Sequence, residues 1–120
     1  MEQNCEAIVI SCIDFRFYEN ISNWLAKNFK PNTFDRGAFA GSAKNLQTIL
    51  SQVEMSVQLH KIKKVVLINH EDCGAYGKNG HPLNHASDLQ KAKIVILKQY
   101  PNIEVNTYYL RLDGVFEQVS

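Results

Sequence analysis

The chain has 120 residues, 45% hydrophobic and 21% charged, which is enough for one packed core and too few for two; a single domain over residues 1–120 is expected, and disorder is excluded. Thirteen Lys and Arg against twelve Asp and Glu leave a formal net charge of +1, no excess that would draw the chain to nucleic acid or to an anionic membrane. The expected partner is therefore a small molecule or another copy of the same chain.

Residues 7–11 (AIVIS) are a continuous apolar run, the pattern of a strand buried on both faces of a parallel sheet. Phe17, Ile21, Trp24 and Leu25 then recur at helical spacing until Pro31 closes the helix. Thr33 and Phe34 read as a short second strand. From Ala43 onward, Leu46, Ile49, Leu50, Val53 and Val57 line one face of a long helix, with Ser42 as its expected N-cap. Residues 65–69 (VVLIN) form the third strand. Ser87 and Gln90 have the spacing of a capping box, opening a helix through Leu89, Ala92, Ile96 and Leu97 that must end near Pro101. Residues 104–112 make a fourth strand, and Asp113-Gly114 turns the chain into a short fifth around residues 115–118.

Right-handed crossovers fold such an alternation into a three-layer αβα architecture with a mainly parallel sheet. The expected strand order is 2-1-3-4, plus a short C-terminal antiparallel strand. The first and third strands are then neighbours whose connections leave in opposite directions, which makes the crevice between their carboxyl ends a topological switch point.

Chemistry-bearing residues collect at that crevice. Cys12 follows the first strand, and His70-Glu71-Asp72-Cys73-Gly74 follows the third. Adjacent strands lie about 4.8 Å apart, so Cys12, His70 and Cys73 can meet on one ion with Zn–S about 2.3 Å and Zn–N about 2.0–2.1 Å. Two thiols and an imidazole suit Zn²⁺, and three protein ligands leave the fourth tetrahedral position open, as in catalytic rather than structural sites. Asp14 and Arg16 alternate with Cys12, so in an extended segment all three share one side. A two-pronged hydrogen bond from Arg16 would hold Asp14 off the metal and leave it free to accept from a metal-bound water.

The first residues carry no basic n-region, and the apolar runs at 65–68 and 94–97 are too short to span a bilayer; a cytoplasmic protein without membrane contact is expected. Three cysteines there read as reduced thiols rather than a disulfide framework. Cys5 is read as a non-ligand, and His60, His81 and His85 as solvent-exposed. His81 and His85, in the polar stretch KNGHPLNHAS, are the candidates to pass protons to buffer. Gly37 to Lys44 has the look of a phosphate loop, but Lys44 is out of the Gly-Lys-Ser/Thr register, so helix entry accounts for it better.

Cys-x-Asp-x-Arg at 12–16 followed by His-x-x-Cys-Gly at 70–74 resembles the β-class carbonic anhydrases. The resemblance covers nearly the whole chain, because the long helix before VVLINHEDCG, the helix after it and the last strand running into Asp-Gly fall where that family has them. It implies Zn²⁺ on Cys12, His70 and Cys73, with Asp14 and Arg16 as the catalytic pair. The implied reaction is reversible hydration of carbon dioxide to bicarbonate by a metal-bound hydroxide, in a small dry pocket for which Phe15, Phe39 and Tyr76 are candidates. The family also implies a homodimer or higher homo-oligomer, and a form in which Asp14 closes onto the metal as a fourth ligand.

The chain departs from the family in three places. Residues 35–41 (DRGAFAG) stand where the family has an Arg-Asn-Ala-Gly-like stretch, Asn69 stands where glycine is common, and the N-terminal arm that wraps a partner subunit in many members is expected to be lacking, as in a minimal-length member. Two other readings remain: a noncatalytic zinc-binding protein of the carbonic anhydrase type, and a hydrolase of a related small substrate such as carbonyl sulfide or carbon disulfide. Asp14 and Arg16 favour an enzyme, since a purely structural zinc needs neither.

Overall fold

All five residues of β1 (Ala7–Ser11) are buried, and the strand is paired on both edges. A computed structural model describes residues 3–120 and places β1 between β2 (Phe34–Ala38) and β3 (Lys64–His70), parallel to both. β4 (Glu104–Leu110) adds in parallel to β3, and β5 (Phe116–Val119) closes the edge antiparallel to β4. The order is β2-β1-β3-β4-β5, as the alternation of elements implied.

Period-2 alternation divides the strand residues between two cores. Ile8, Ile10, Val65, Leu67 and Val105 pack against Ile49 and Val53 of α2 (Leu46–His60) and against Leu89, Ala92 and Ile96 of α3 (Pro82–Gln99). Ala7, Val9, Val66, Ile68 and Leu110 face the other way, onto Phe17, onto Ile21 and Leu25 of α1 (Tyr18–Asn28), and onto Phe29. Helices therefore cover both faces, which is the three-layer αβα arrangement. No helix of the described residues is long and apolar enough to cross a membrane.

Four boundaries differ from the sequence expectations. β2 runs through Asp35, Arg36 and Gly37 because it pairs with β1 residue for residue, and such pairing tolerates polar side chains on an edge strand. Gly37 is buried there, and a Cβ would lie 3.3 Å from Ile10 Cγ1. Ser42 is not the N-cap of α2: it belongs to a 3₁₀ turn, Ser42–Lys44, and the helix begins only at Leu46. The helix after the third strand starts at Pro82 rather than at Ser87. Pro82 has no N–H to lose at a first turn, and His81 Nδ1 accepts from Leu83 N at 3.1 Å, so the cap forms at His81, well before the Ser87 that the capping-box pattern indicated. Finally β4 ends at Leu110, where a tight turn bonding Arg111 to Gly114 and Val115 takes over.

Leu67, fully buried at the centre of the sheet, tests this core. Leu67→Ala is expected to lower unfolding stability by about 2–5 kcal/mol with the urea m-value unchanged.

Candidate metal centre

The β1–β3 register pairs Ser11 with Ile68, so the chain leaving β1 at Cys12 emerges beside Asn69 and His70. Beyond His70 the backbone turns back through Asp72, at a φ of 58°, and returns Cys73 to the same place. Cys12 Sγ and Cys73 Sγ lie 3.9 Å apart, and one donor atom each from Cys12, His70 and Cys73 falls within 4.8 Å of the others. Two sulfurs bound tetrahedrally at a Zn–S length of about 2.3 Å would be about 3.8 Å apart.

His70 supplies the local test of fit. Its Nδ1 lies 2.8 Å from the Glu71 carbonyl oxygen, which can only accept, so Nδ1 carries a proton and Nε2 is the atom left for a ligand. Nε2 is buried and has no hydrogen-bond partner among the described residues. A buried polar atom left in that state is costly, and a bound cation would satisfy it. The ring is fixed from behind by Phe17, at 4.4 Å between centroids. This donor set fits zinc in chemistry and in spacing.

Electrostatics prepare one of the sulfurs. Burial pushes the Cys12 thiol up, but His70 beside it and the backbone N–H groups of Gly41 and Asp14 bring it down to about 7. Cys73 stays raised, first by burial and then by the charge of Cys12, although backbone groups of Ala75 and Tyr76 support its sulfur. Burial also opposes protonation of His70, yet Cys12, the Glu71 carbonyl and Asp14 together raise its pKa.

Asp14 and Arg16 are adjacent, though not through the extended alternation expected of them. Asp14 caps a 3₁₀ turn, Phe15–Phe17, its Oδ1 accepting from Arg16 N at 3.0 Å. Arg16 folds back over it, donating from Nε to Oδ1 at 3.1 Å and from Nη2 to Oδ2 at 2.7 Å. The same guanidinium reaches Asp72 Oδ2 at 3.0 Å and the Asp72 carbonyl at 2.9 Å, tying the segment after β1 to the loop after β3. Asp14 Oδ2 is thereby held 3.8 Å from His70 Nε2. Hydrogen bonds from Arg16 lower the Asp14 pKa to about 2.

Of the three aromatic residues expected in a pocket, only Phe15 is there. It is 85% exposed and lines an open depression of ≈ 550 Å³ together with Cys12, Ile13, Asp14, Tyr18 and Arg36. Phe39 packs against the α2/α3 core instead. Tyr76 is buried in a polar network that sequence reasoning missed. Asn69 Oδ1 accepts from Ala43 N at 3.0 Å, and Asn69 Nδ2 lies 2.9 Å from both Tyr76 Oη and His85 Nδ1. Tyr76 Oη in turn donates to Asp88 Oδ2 at 2.7 Å. His85, expected in solvent, is fully buried on α3, and burial and then the charge of His70 lower its pKa to about 4. Its position was legible: stepping back four residues from Leu89 along the apolar stripe reaches it. His60 is half-buried against Asp35, with a contact of 2.7 Å, rather than fully exposed, whereas His81 is exposed at the start of α3 as expected.

A family model described as "Putative carbonic anhydrase" matches residues 2–120. The chain belongs to the carbonic anhydrase family. An uncharacterized protein of Rickettsia conorii is 30% identical over 131 residues, spanning 93% of this chain and 70% of its own. Among solved structures, the carbonic anhydrase of Streptococcus mutans superposes with a TM-score of 0.67 at 17% identity, covering 100% of this chain and 86% of its own. The apo form of a carbon disulfide hydrolase gives 0.56 at 15% identity, covering 100% and 81%. At those identities the structural likeness is one of fold. The β-carbonic anhydrase CafA of Aspergillus fumigatus shares that fold with a TM-score of 0.58 at 18% identity, covering 98% of this chain and 76% of its own.

Two outcomes follow for this family member. In metal-free protein the Asp14 carboxyl should titrate at about 2, and Arg16→Gln should move it up toward the ordinary range near 3.9, read by NMR titration. Because the folded value lies below the unfolded one, the stability Asp14 contributes is present above about pH 4 and lost as pH falls toward 2. Asn69→Leu removes partners from Ala43 N, Tyr76 Oη and His85 Nδ1 together, and should cost about 2–5 kcal/mol in denaturant unfolding.

Proposed function

We propose that this chain hydrates carbon dioxide reversibly to bicarbonate with zinc held by Cys12, His70 and Cys73, and with Asp14 and Arg16 as the catalytic pair. The observation that carries the reading is the meeting at one point of two sulfurs 3.9 Å apart, an unpartnered His70 Nε2, and a carboxylate oxygen 3.8 Å from that nitrogen. Zn²⁺ bound by this set supplies the Lewis acidity that makes water nucleophilic near neutral pH.

The chain's own residues do the rest. Asp14, ionised throughout the physiological range, accepts a hydrogen bond from the attacking water and turns its lone pair toward the carbon of the substrate. Arg16 keeps that carboxylate ionised and, through Asp72, at a fixed distance from the loop bearing His70 and Cys73. With its pKa at about 2, Asp14 is an acceptor and no store for the released proton. His85 is buried and too weakly basic to export it, which leaves the exposed His81 as the histidine of that stretch open to buffer. Ile13, Phe15 and Tyr18, exposed at 63%, 85% and 74%, offer apolar surface for a small uncharged substrate and for a second copy of the chain, as in a homodimer. Three cysteines without a disulfide are consistent with a reducing, cytoplasmic setting.

A second reading, hydrolysis of carbon disulfide or carbonyl sulfide, is favoured by the fold likeness to a carbon disulfide hydrolase and by the apolar side chains of Ile13, Phe15 and Tyr18 beside Cys12. Stopped-flow assay of zinc-loaded protein between about pH 7 and pH 9 separates the readings. Zinc-dependent hydration of carbon dioxide is expected, falling about 10²-fold or more in Asp14→Ala at equal zinc content. Turnover of carbon disulfide or carbonyl sulfide alone would select the second reading, and turnover of neither would leave a noncatalytic zinc protein.

A further inference from the structure

The opposite end of the sheet carries another set of donors. Cys5 precedes β1, Asp35 lies on β2 beside Ile8, and His60 ends α2. Pairing with Ile8 turns Asp35 toward α2, where Ser56 and His60 are one helical turn apart and both reach one carboxylate oxygen. Ser56 Oγ donates to Asp35 Oδ2 at 2.6 Å, and His60 Nδ1 lies 2.7 Å from the same atom. Cys5 is carried in by its backbone, whose N–H donates to the His60 carbonyl at 2.9 Å. One donor atom from each of Cys5, Asp35 and His60 lies within 4.8 Å of the others.

Three features make this more than a hydrogen-bonded corner. The donors come from three separate segments, yet a sulfur, an imidazole nitrogen and a carboxylate oxygen converge, the mixture that zinc-type ions accept and that magnesium and calcium do not favour. Among the described residues the only basic group within ion-pair distance of Asp35 is His60, so the carboxylate has no permanent counter-charge. The cluster is half-buried and reachable, with an opening of ≈ 490 Å³ at Cys5 and one of ≈ 220 Å³ lined by Asp35, Ser56 and His60. Burial and then the Asp35 charge hold the Cys5 thiol up, and a cation bound to the sulfur would offset both by favouring the thiolate.

We propose that Cys5, Asp35 and His60 form a second metal site, taking one zinc-type divalent cation that clasps the residues before β1 to β2 and to the end of α2. Entry of the ion opens the Asp35–His60 hydrogen bond and releases the Cys5 proton to solvent. The Ser56 hydroxyl stays on the carboxylate as the outer hydrogen bond that ligating carboxylates keep. Because it sits at the amino ends of the strands, this site is separate from the chemistry at their carboxyl ends and independent of the reading given for it.

The test uses the full chain titrated with Co²⁺ under reductant. Cys12→Ser/Cys73→Ser, which removes both sulfurs of the first centre, should still bind about one equivalent with a thiolate-to-cobalt charge-transfer band. Adding Cys5→Ser should abolish that band and the tight equivalent. In a background with Cys12 and Cys73 intact, Cys5→Ser and His60→Ala should each lower the tight stoichiometry by one equivalent, which guards against misfolding of the double variant. Absence of the band in a folded Cys12→Ser/Cys73→Ser protein, or its survival after Cys5→Ser, would overturn the proposal and leave a hydrogen-bonded clasp.

Discussion

The parallel pairing of β1 with β3 is the constraint on which this molecule depends. It brings Cys12 and Cys73, separated by 61 residues, to a 3.9 Å approach, and no local feature of either segment could do so. The pairing is held by what lies beneath it. A slip of one residue would turn Ile8 and Ile10 away from the α2/α3 core and Val9 away from α1, exchanging every buried side chain of a strand that is buried throughout. Two apolar cores thus fix a register, and the register fixes the sulfurs.

What the sequence made legible follows from the same physics. Strands buried on both faces announce themselves as apolar runs, so β1 and β3 were readable, and with them the neighbourhood of Cys12, His70 and Cys73. β2 was largely hidden because an edge strand with Asp35 and Arg36 in it has no hydrophobic signature; its extent is dictated by its neighbour. The start of α3 was misplaced because Ser87 and Gln90 have the pattern of a cap, while Pro82 and His81 form the one that operates. For Asp14 and Arg16 the partnership was readable but its geometry was not, since a short capping turn replaced the extended backbone.

Asn69 was marked in the sequence only as a departure from a common glycine. In the fold it joins the backbone before α2, the Tyr76 hydroxyl and the His85 ring, and through Tyr76 it reaches Asp88 on α3. Such networks in a low-dielectric interior favour one arrangement strongly when their members are satisfied. Here the network braces Asn69, immediately before His70, and Tyr76, a short way beyond Cys73, so the loop that carries two of the three donors is supported from α3 as well as from Arg16. Sequence pattern alone does not reveal this, because each member is a polar residue whose partners are remote in the chain.

The closeness of the two sulfurs at the first centre has a further consequence for a chain without bound metal. One thiol with a pKa of about 7, 3.9 Å from another, is the arrangement that peroxide converts first to a sulfenic acid and then to a disulfide. A cation between them consumes the lone pairs that such chemistry needs. Under the proposed zinc binding, stripping the ion would expose the centre to oxidative closure, and recovery of metal binding after chelation would depend on a thiol reductant.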